Sequence, residues 1–201
     1  MYTQPLHRDP PECYANLAVI DLEYTCDNDV EFGPNEIIEI GAIIGRLSPD
    51  DFQVVNELQI YVRPTINPTL TTFCTELTGI TQNTVDAAII LNDALLVLEK
   101  WLQTNNVTAW ASWGKSDANQ FMRECGLKQL INPVADTQHL NLKQLFARKF
   151  GHRVGLQRAL ELRGLTFAGR LHSGIDDAKN VGQLLSHEPL LRVAELKRVS
   201  T

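Results

Sequence analysis

Two short apolar runs limit the fold more than any other feature: Leu17 to Ile20, which enters Asp21-Leu22-Glu23, and the isoleucine-rich Ile37 to Ile44. Both are bounded by polar, Gly and Pro residues and are expected as buried strands. Gln53 to Val62, ended by Arg63-Pro64, reads as a third strand, and Val107 to Ser112 as another. Between them Asn92 is a candidate N-cap for a helix running to about Gln103, with Ala94, Leu95, Leu98, Trp101 and Leu102 on one stripe. From Ser116 onward the pattern turns helical: Asp117 to Cys125 closed by Gly126, Leu140 to Phe150 closed by Gly151, Leu156 to Arg163 closed by Gly164, and Ser173 to Ser186. Strands first and helices after, with a strand-helix-strand passage, predict one mixed α/β domain over residues 17–201. Residues 1–16, with Pro5, Pro10 and Pro11 and no periodicity, read as an irregular arm.

A packed core is expected, because 44% hydrophobic and 21% charged residues is ordinary globular usage and far from the signature of disorder. No apolar run approaches the roughly 20 residues of a membrane-spanning helix. The N-terminus is Pro-rich and polar, so neither a membrane anchor nor a signal peptide is expected. Cys13, Cys26, Cys74 and Cys125 include no C-x-x-C pair, suggest neither a zinc cluster nor a disulfide framework, and make the reducing cytoplasm the simplest setting. The net charge of −6 argues against a nucleic-acid partner only as an average. Residues 1–140 hold 7 Lys/Arg against 19 Asp/Glu, and residues 141–201 hold 11 against 5. A basic segment attracts phosphates while acidic residues elsewhere hold metal ions.

Three places carry candidate chemistry. Asp21 and Glu23 stand at i and i+2 at the end of an apolar strand and so share a face. Two carboxylates that close repel unless something positive lies between them, and hard divalent cations take carboxylate oxygens. Trp113-Gly114-Lys115-Ser116-Asp117 follows a strand and opens a helix, where the macrodipole alone would favour an acid. His172-Ser173-Gly174-Ile175-Asp176-Asp177 opens the last helix, with Ser173 as N-cap and Asp176 at the third helical position, a variant of the capping box. Asp177 is turned about 100° further round the helix and needs a separate explanation.

In this order the three segments resemble the DEDDh exonucleases, and among them the Eri1-like and KapD-like 3′-to-5′ exonucleases. The first motif is Ile20-Asp21-Leu22-Glu23-Tyr24-Thr25-Cys26, followed by Glu36-Ile37-Ile38-Glu39-Ile40-Gly41. Phe73-Cys74-Thr75-Glu76-Leu77-Thr78-Gly79-Ile80-Thr81-Gln82 is similar to the corresponding Eri1-type stretch. The second motif carries Lys115 where many relatives have a further Asp, and the third is H-x4-D, from His172 to Asp177. The likeness runs from about Leu17 to Leu185.

The resemblance implies an RNase H-like fold, a mixed β-sheet flanked by α-helices. It also implies that Asp21, Glu23, Asp117 and Asp177 hold two divalent ions, Mg²⁺ or Mn²⁺, with His172 as general base. Phosphodiester hydrolysis fits that set: two metals supply a nucleophile at neutral pH and stabilise the leaving oxygen, and an imidazole, with an unperturbed pKa of about 6.5, accepts the proton of water. The expected reaction is removal of nucleoside 5′-monophosphates from RNA 3′ ends, with single-stranded DNA as a second polymer. Thr25 is expected near the 3′ hydroxyl, Leu77 and Thr78 beside the last base, and Trp113 along the same groove. The basic residues Arg148, Lys149, Arg153, Arg158, Arg163 and Arg170 are candidates to guide the backbone. His7, His139, His152 and His187 read as structural.

Other readings separate on the same residues. A Ser/His/Asp hydrolase using Ser112 or Ser173 with His172 lacks a G-x-S-x-G elbow and leaves the Asp21/Glu23 pair unexplained. A non-catalytic RNA-binding module is disfavoured because all five catalytic positions are filled. A DNA-directed proofreading or repair exonuclease would use the same five residues; the Phe73 to Gln82 segment tilts the choice towards RNA. No separate nucleic-acid-binding domain is recognisable, so substrate choice falls to a partner or to the chain's own groove.

Overall fold

A computed structural model describes residues 15–28, 33–48, 50–189 and 191–192. The arm at 1–14, with His7 and Cys13, lies outside the described residues, while Ala15 and Asn16, read as its end, already belong to the first strand. Strands β1 (Ala15–Tyr24), β2 (Ile37–Leu47), β3 (Phe52–Arg63), β4 (Ile89–Ile90), β5 (Val107–Ser112) and β6 (Gln138–Asn141) form one six-stranded sheet in the order β4-β3-β2-β1-β5-β6. The β1-β2-β3 meander is antiparallel, whereas β5 and β6 add to β1 in parallel and β4 pairs in parallel with β3. The helices are α1 (Thr72–Thr78), α2 (Gln82–Asp86), α3 (Leu91–Thr104), α4 (Ser116–Lys128), α5 (Leu142–Phe150), α6 (Leu156–Leu162) and α7 (Gly174–His187). Among the described residues no helix is long and apolar enough to cross a membrane.

Strand alternation divides the core into two layers. Leu17 and Val19 of β1 pack with Phe146, Leu160, Val181 and Leu185 of the α5, α6 and α7 layer. Ala18, Ile20 and Leu22 pack on the opposite face with Leu95, Leu98 and Phe121 of α3 and α4. This explains the near-continuous isoleucine of β2, which is buried on both faces except at Arg46.

The contact that sets the position of α7 is a backbone approach. A Cβ on Gly41 would lie 2.0 Å from the carbonyl carbon of Gly174 and the nitrogen of Ile175, so only glycine lets β2 touch the first turn of α7. Because the obstacle is backbone and not a flexible side chain, Gly41→Ala is expected to cost at least the ~1–3 kcal/mol typical of overpacking. Turnover should fall with it. Urea melts check this, and a variant as stable and as active as the wild type would contradict it.

Several local expectations shift. The α3 N-cap is Ile90, with no side-chain cap bond, because Asn92 is already inside the helix. Helix α4 runs through Gly126 to Lys128 and ends where Gln129 takes the left-handed conformation at φ +54°. Leu140 belongs to β6, and α5 begins at Leu142, capped by Asn141, whose side chain accepts from the Gln144 N–H. Ser173 is the α7 N-cap by backbone only, so the expected capping box does not form.

Candidate active site

The acidic residues meet at the ends of strands. Asp21 and Glu23 continue the Leu17/Val19 face of β1 towards its C-terminal end, pointing to the α7 side of the sheet. Strand β5 runs parallel to β1, so the turn after it delivers Asp117, in the first turn of α4, to the same edge. There Asp117 is 3% exposed and its Oδ1 accepts the Leu22 N–H at 3.2 Å. Asp177 arrives in the first turn of α7. Asp21, Glu23, Asp117, His172 and Asp177 all line one cleft of about 460 Å³.

Glu39 holds α7 in place. In the β1-β2 ladder Glu39 stands directly opposite Glu23, and Gly41 opposite Asp21, an arrangement of like charges that would be unfavourable if both acids faced each other freely. The Glu39 carboxylate instead accepts the Gly174 N–H at 3.1 Å, the Ile175 N–H at 3.2 Å and the Gln59 side-chain amide at 2.9 Å. A buried carboxylate 135 positions away in sequence thus satisfies the open N–H groups that Ser173 leaves, and the helix dipole favours its charge. A second buried acid, Glu36, fixes the base of β2: it accepts the N–H groups of Thr65, Ile66 and Asn67 and the Lys128 ammonium, which also bonds Glu124. Burial opposes the Glu36 charge, yet these donors hold its pKa below the usual value.

His172 stands exposed just before α7, with φ +59°, a left-handed conformation uncommon for a residue with a side chain. Its backbone N–H donates to the Asp177 carboxylate. Asp176 braces this turn: its carboxylate accepts the Arg170 N–H at 2.9 Å and packs over Gly169, where a Cβ would lie 2.5 Å away. Asp176 therefore ties down the His172 turn, and does not close a cap. Asp176→Asn keeps an acceptor oxygen and is expected to retain turnover within a few-fold while losing about 1 kcal/mol of stability. A folded but inactive Asp176→Asn protein would show that this acid serves the reaction itself.

The site is electrostatically unbalanced. Burial, then repulsion from Asp117, Asp177, Glu23 and Glu39, pushes the Asp21 carboxyl well above its usual range. Burial and neighbouring Asp177 raise Glu23 to about 8, with Arg170 opposing. Burial raises Asp177 to about 7 and also raises Asp117, against the backbone donor at Leu22. Ligand atoms of Glu23, His172 and Asp177 lie within 4.8 Å of one another. Oxygen-rich, repelling and partly buried, this set fits divalent cations.

The sequence matches the family described as RNase_T, exonuclease, over residues 18–185. The chain belongs to this exonuclease family. Its relatives there are Eri1-like: ERI1 exoribonuclease 2 of Xenopus laevis is 31% identical over 85% of this chain and 28% of its own length. The 3′-5′ exonuclease Snipper of Drosophila melanogaster is 31% identical over 86% of this chain and 68% of its own length. Among solved structures, the nuclease domain of 3′hExo, a DEDDh family member bound to rAMP, superposes with a TM-score of 0.79 at 27% identity, covering 92% of this chain and 94% of that one. The 3′-exonuclease solved in recognition of a histone mRNA stem-loop gives 0.78 at 27% identity, over 90% and 82% of the two chains. The sheet and its helices are accordingly the RNase H-like DEDDh fold. The exonuclease domain seen here spans 28% of the length of the ERI1 exoribonuclease 2 relatives from frog and mouse.

Around the four acids and the histidine, the exonuclease cleft is walled by Leu77 and Trp113. Trp113 is fixed by its indole N–H donating to the Val154 carbonyl at 3.2 Å and by edge contact with Phe146. Thr25 and Thr78 do not line the cleft. The Thr25 hydroxyl accepts the Glu36 N–H, and that of Thr78 donates to the Cys74 carbonyl and accepts from Ile80. Of the basic candidates, Arg170 donates to the Glu76 carbonyl at 2.8 Å and lies against Gly79, joining the end of α1 to the His172 turn. Arg158 pairs with Glu161, and Arg163 with Glu188 over the Phe150 ring. Ser112 bonds His139 at 2.9 Å, which leaves no Ser112–His172 pair. Burial, with Lys115 nearby, lowers His139 to about 4, and it stacks on Trp110, a structural histidine as read.

Proposed function

We propose that this chain is a divalent-metal-dependent 3′-to-5′ exonuclease that shortens RNA, and single-stranded DNA as a second polymer, releasing nucleoside 5′-monophosphates. The observation that carries this reading is the convergence of Asp21, Glu23, Asp117, Asp177 and His172 on one cleft of an exonuclease fold. The four carboxylates are the ligands for two ions, Mg²⁺ or Mn²⁺, which when bound supply an activated water and charge stabilisation at the phosphate. His172, exposed to the cleft, takes the proton of the attacking water. Its left-handed backbone and the bond to Asp177 hold the imidazole beside the ligand set. Leu77 and Trp113 receive the terminal nucleotide as apolar walls suited to any base, with Thr25 and Thr78 bracing the segments behind them. The names of the Eri1-like relatives favour RNA over DNA. Cytoplasmic work is part of the same reading and agrees with the free thiols of Cys26, Cys74 and Cys125.

One digestion series tests the whole: single-stranded RNA, structured RNA and DNA, each ending in a 3′ hydroxyl or a 3′ phosphate. Stepwise release of nucleoside 5′-monophosphates from the 3′-hydroxyl RNA is expected. Internal cleavage would overturn the proposal, as would no release with either metal. Faster digestion of DNA than of RNA would move the function to a DNA-directed enzyme.

A further inference from the structure

Beside the catalytic cleft lies a larger groove of about 580 Å³, and the two share Trp113 and Ser116 as common walls. Lys115, Lys143, Arg148 and Arg153 line this groove, and no carboxylate does. Among the described residues none of these four cations forms an ion pair or a side-chain hydrogen bond, in contrast to Arg158, Arg163, Arg170 and Lys179, each of which is engaged within the protein.

Four unpaired cations in one concavity repel one another and gain nothing from the fold, which is unexpected in a chain of net charge −6. They are explained by an anion that spans them. The catalytic cleft next door, with four carboxylates balanced by two divalent ions on the reading above, offers a polyanionic strand little net attraction, and a cationic surface alongside supplies it. Lys115 lies in the chain between the two shared walls, Trp113 and Ser116, so it brings a positive charge to the junction of groove and cleft. Resting on the exonuclease reading above, we infer that this groove binds the phosphodiester backbone of a single-stranded polynucleotide on the 5′ side of the nucleotide being removed. Trp113, which lines both cavities, marks the point where the strand passes from the terminal nucleotide in the cleft to its 5′ neighbours in the groove. Recognition is through phosphates and is therefore indifferent to sequence.

The test compares the wild type with two variants, the triple Lys143→Gln/Arg148→Gln/Arg153→Gln and the single Lys115→Asp, on an RNA strand of about 10 nucleotides and on a dinucleotide. Each phosphate neutralised on a single strand contributes about −0.7 to the slope of log affinity against log salt. Four contacts predict a slope of about −2.8, so the wild-type kcat/KM on the long strand should fall about 50-fold between roughly 50 and 200 mM salt. The triple variant should fall only about threefold over that range. At low salt it should already be weaker than the wild type by at least about tenfold, through KM. Lys115→Asp should weaken the long strand likewise, and both variants should cleave the dinucleotide at the wild-type rate. Fluorescence anisotropy of the same strand in EDTA reads the groove apart from turnover, with the same loss expected. A protein that binds through these residues yet cleaves nothing would sink the exonuclease reading and keep the groove. Strand affinity and salt slope unchanged in the triple variant would overturn the groove, as would an equal loss on the dinucleotide.

Discussion

Asp21→Asn is expected to abolish RNA shortening while making the metal-free protein melt higher than the wild type at pH 8. The loss of turnover should be about 10² to 10³-fold or more, the range for removing one preorganised charge-stabilising group. The gain in stability follows from the direction of the pKa shifts. Glu23 is raised from 4.5 to about 8 and Asp177 from 3.8 to about 7, with Asp21 raised as well. Below the ordinary carboxylate range Asp21, Glu23 and Asp177 are protonated in both folded and unfolded chains, and these three groups carry no penalty. As pH rises towards 8, the unfolded chain releases protons that the folded chain must retain or lose against repulsion, so stability falls by an amount on the order of a few kcal/mol. Removing one buried negative charge relieves part of that penalty, and a divalent ion relieves it in the wild type. Thermal melts at pH 5 and 8, in EDTA and in Mn²⁺, check this. Mn²⁺ should raise the wild-type Tm more at pH 8 than at pH 5, and raise that of Asp21→Asn less. A variant that melts lower than the wild type in EDTA at pH 8, or that still digests RNA, would remove Asp21 from the ligand set.

Replacing His172 should lower the rate about 10² to 10⁴-fold, the usual cost of removing a general base, while Mn²⁺ and RNA binding stay near wild type. The distinction matters because His172 lies close enough to Glu23 and Asp177 to be a ligand instead of a base. The backbone guides the choice of variant. At φ +59° alanine is strained and asparagine is tolerated, so His172→Asn removes the imidazole with the turn kept, and His172→Ala provides the comparison. Single-turnover rates, Mn²⁺ calorimetry and added free imidazole separate the roles. A base is replaced in part by imidazole in solution; a ligand is revealed by weakened Mn²⁺ binding. Undiminished rate in His172→Asn would leave the residue outside the chemistry altogether.

Within the candidate set, local periodicity places only Asp21 and Glu23 on one face; Asp117, His172 and Asp177 are picked out by the family resemblance. The i, i+2 spacing put Asp21 and Glu23 on the face already occupied by Leu17 and Val19, and strand alternation alone carries that. Strands β1, β2, β3 and β5 are long and apolar enough to show; β4, of two residues, and β6, of four, are too short to leave a period. Leu140 was read as helical because it continues without a break into the apolar residues of α5, while sheet pairing with Ala111 claims it for β6. Helices α1 and α2, of seven and five residues, carry little beyond their Thr71 and Thr81 caps, and went unread as elements. The capping box at Ser173 and Asp176 had the right spacing, but local rules see only neighbours in sequence. Glu39 on β2 takes the first two amides of α7, and Asp176 turns back to Arg170. The available signal was a carboxylate inside a buried isoleucine strand, which must find donors somewhere.

The reach from Glu39 to α7 also sets a timetable. Ribosomes deliver the N-terminal segment first, at about 5 to 20 residues per second, so the 135 positions between Glu39 and Gly174 separate their emergence by roughly 7 to 27 s. Throughout that interval Asp21 and Glu23 have neither Asp177 nor the His172 turn beside them, and Glu39 has no helix end to hold. On the proposed reading, a nascent chain therefore holds an incomplete set of candidate ligands until α7 docks, so RNA-shortening activity would be gained only at that step.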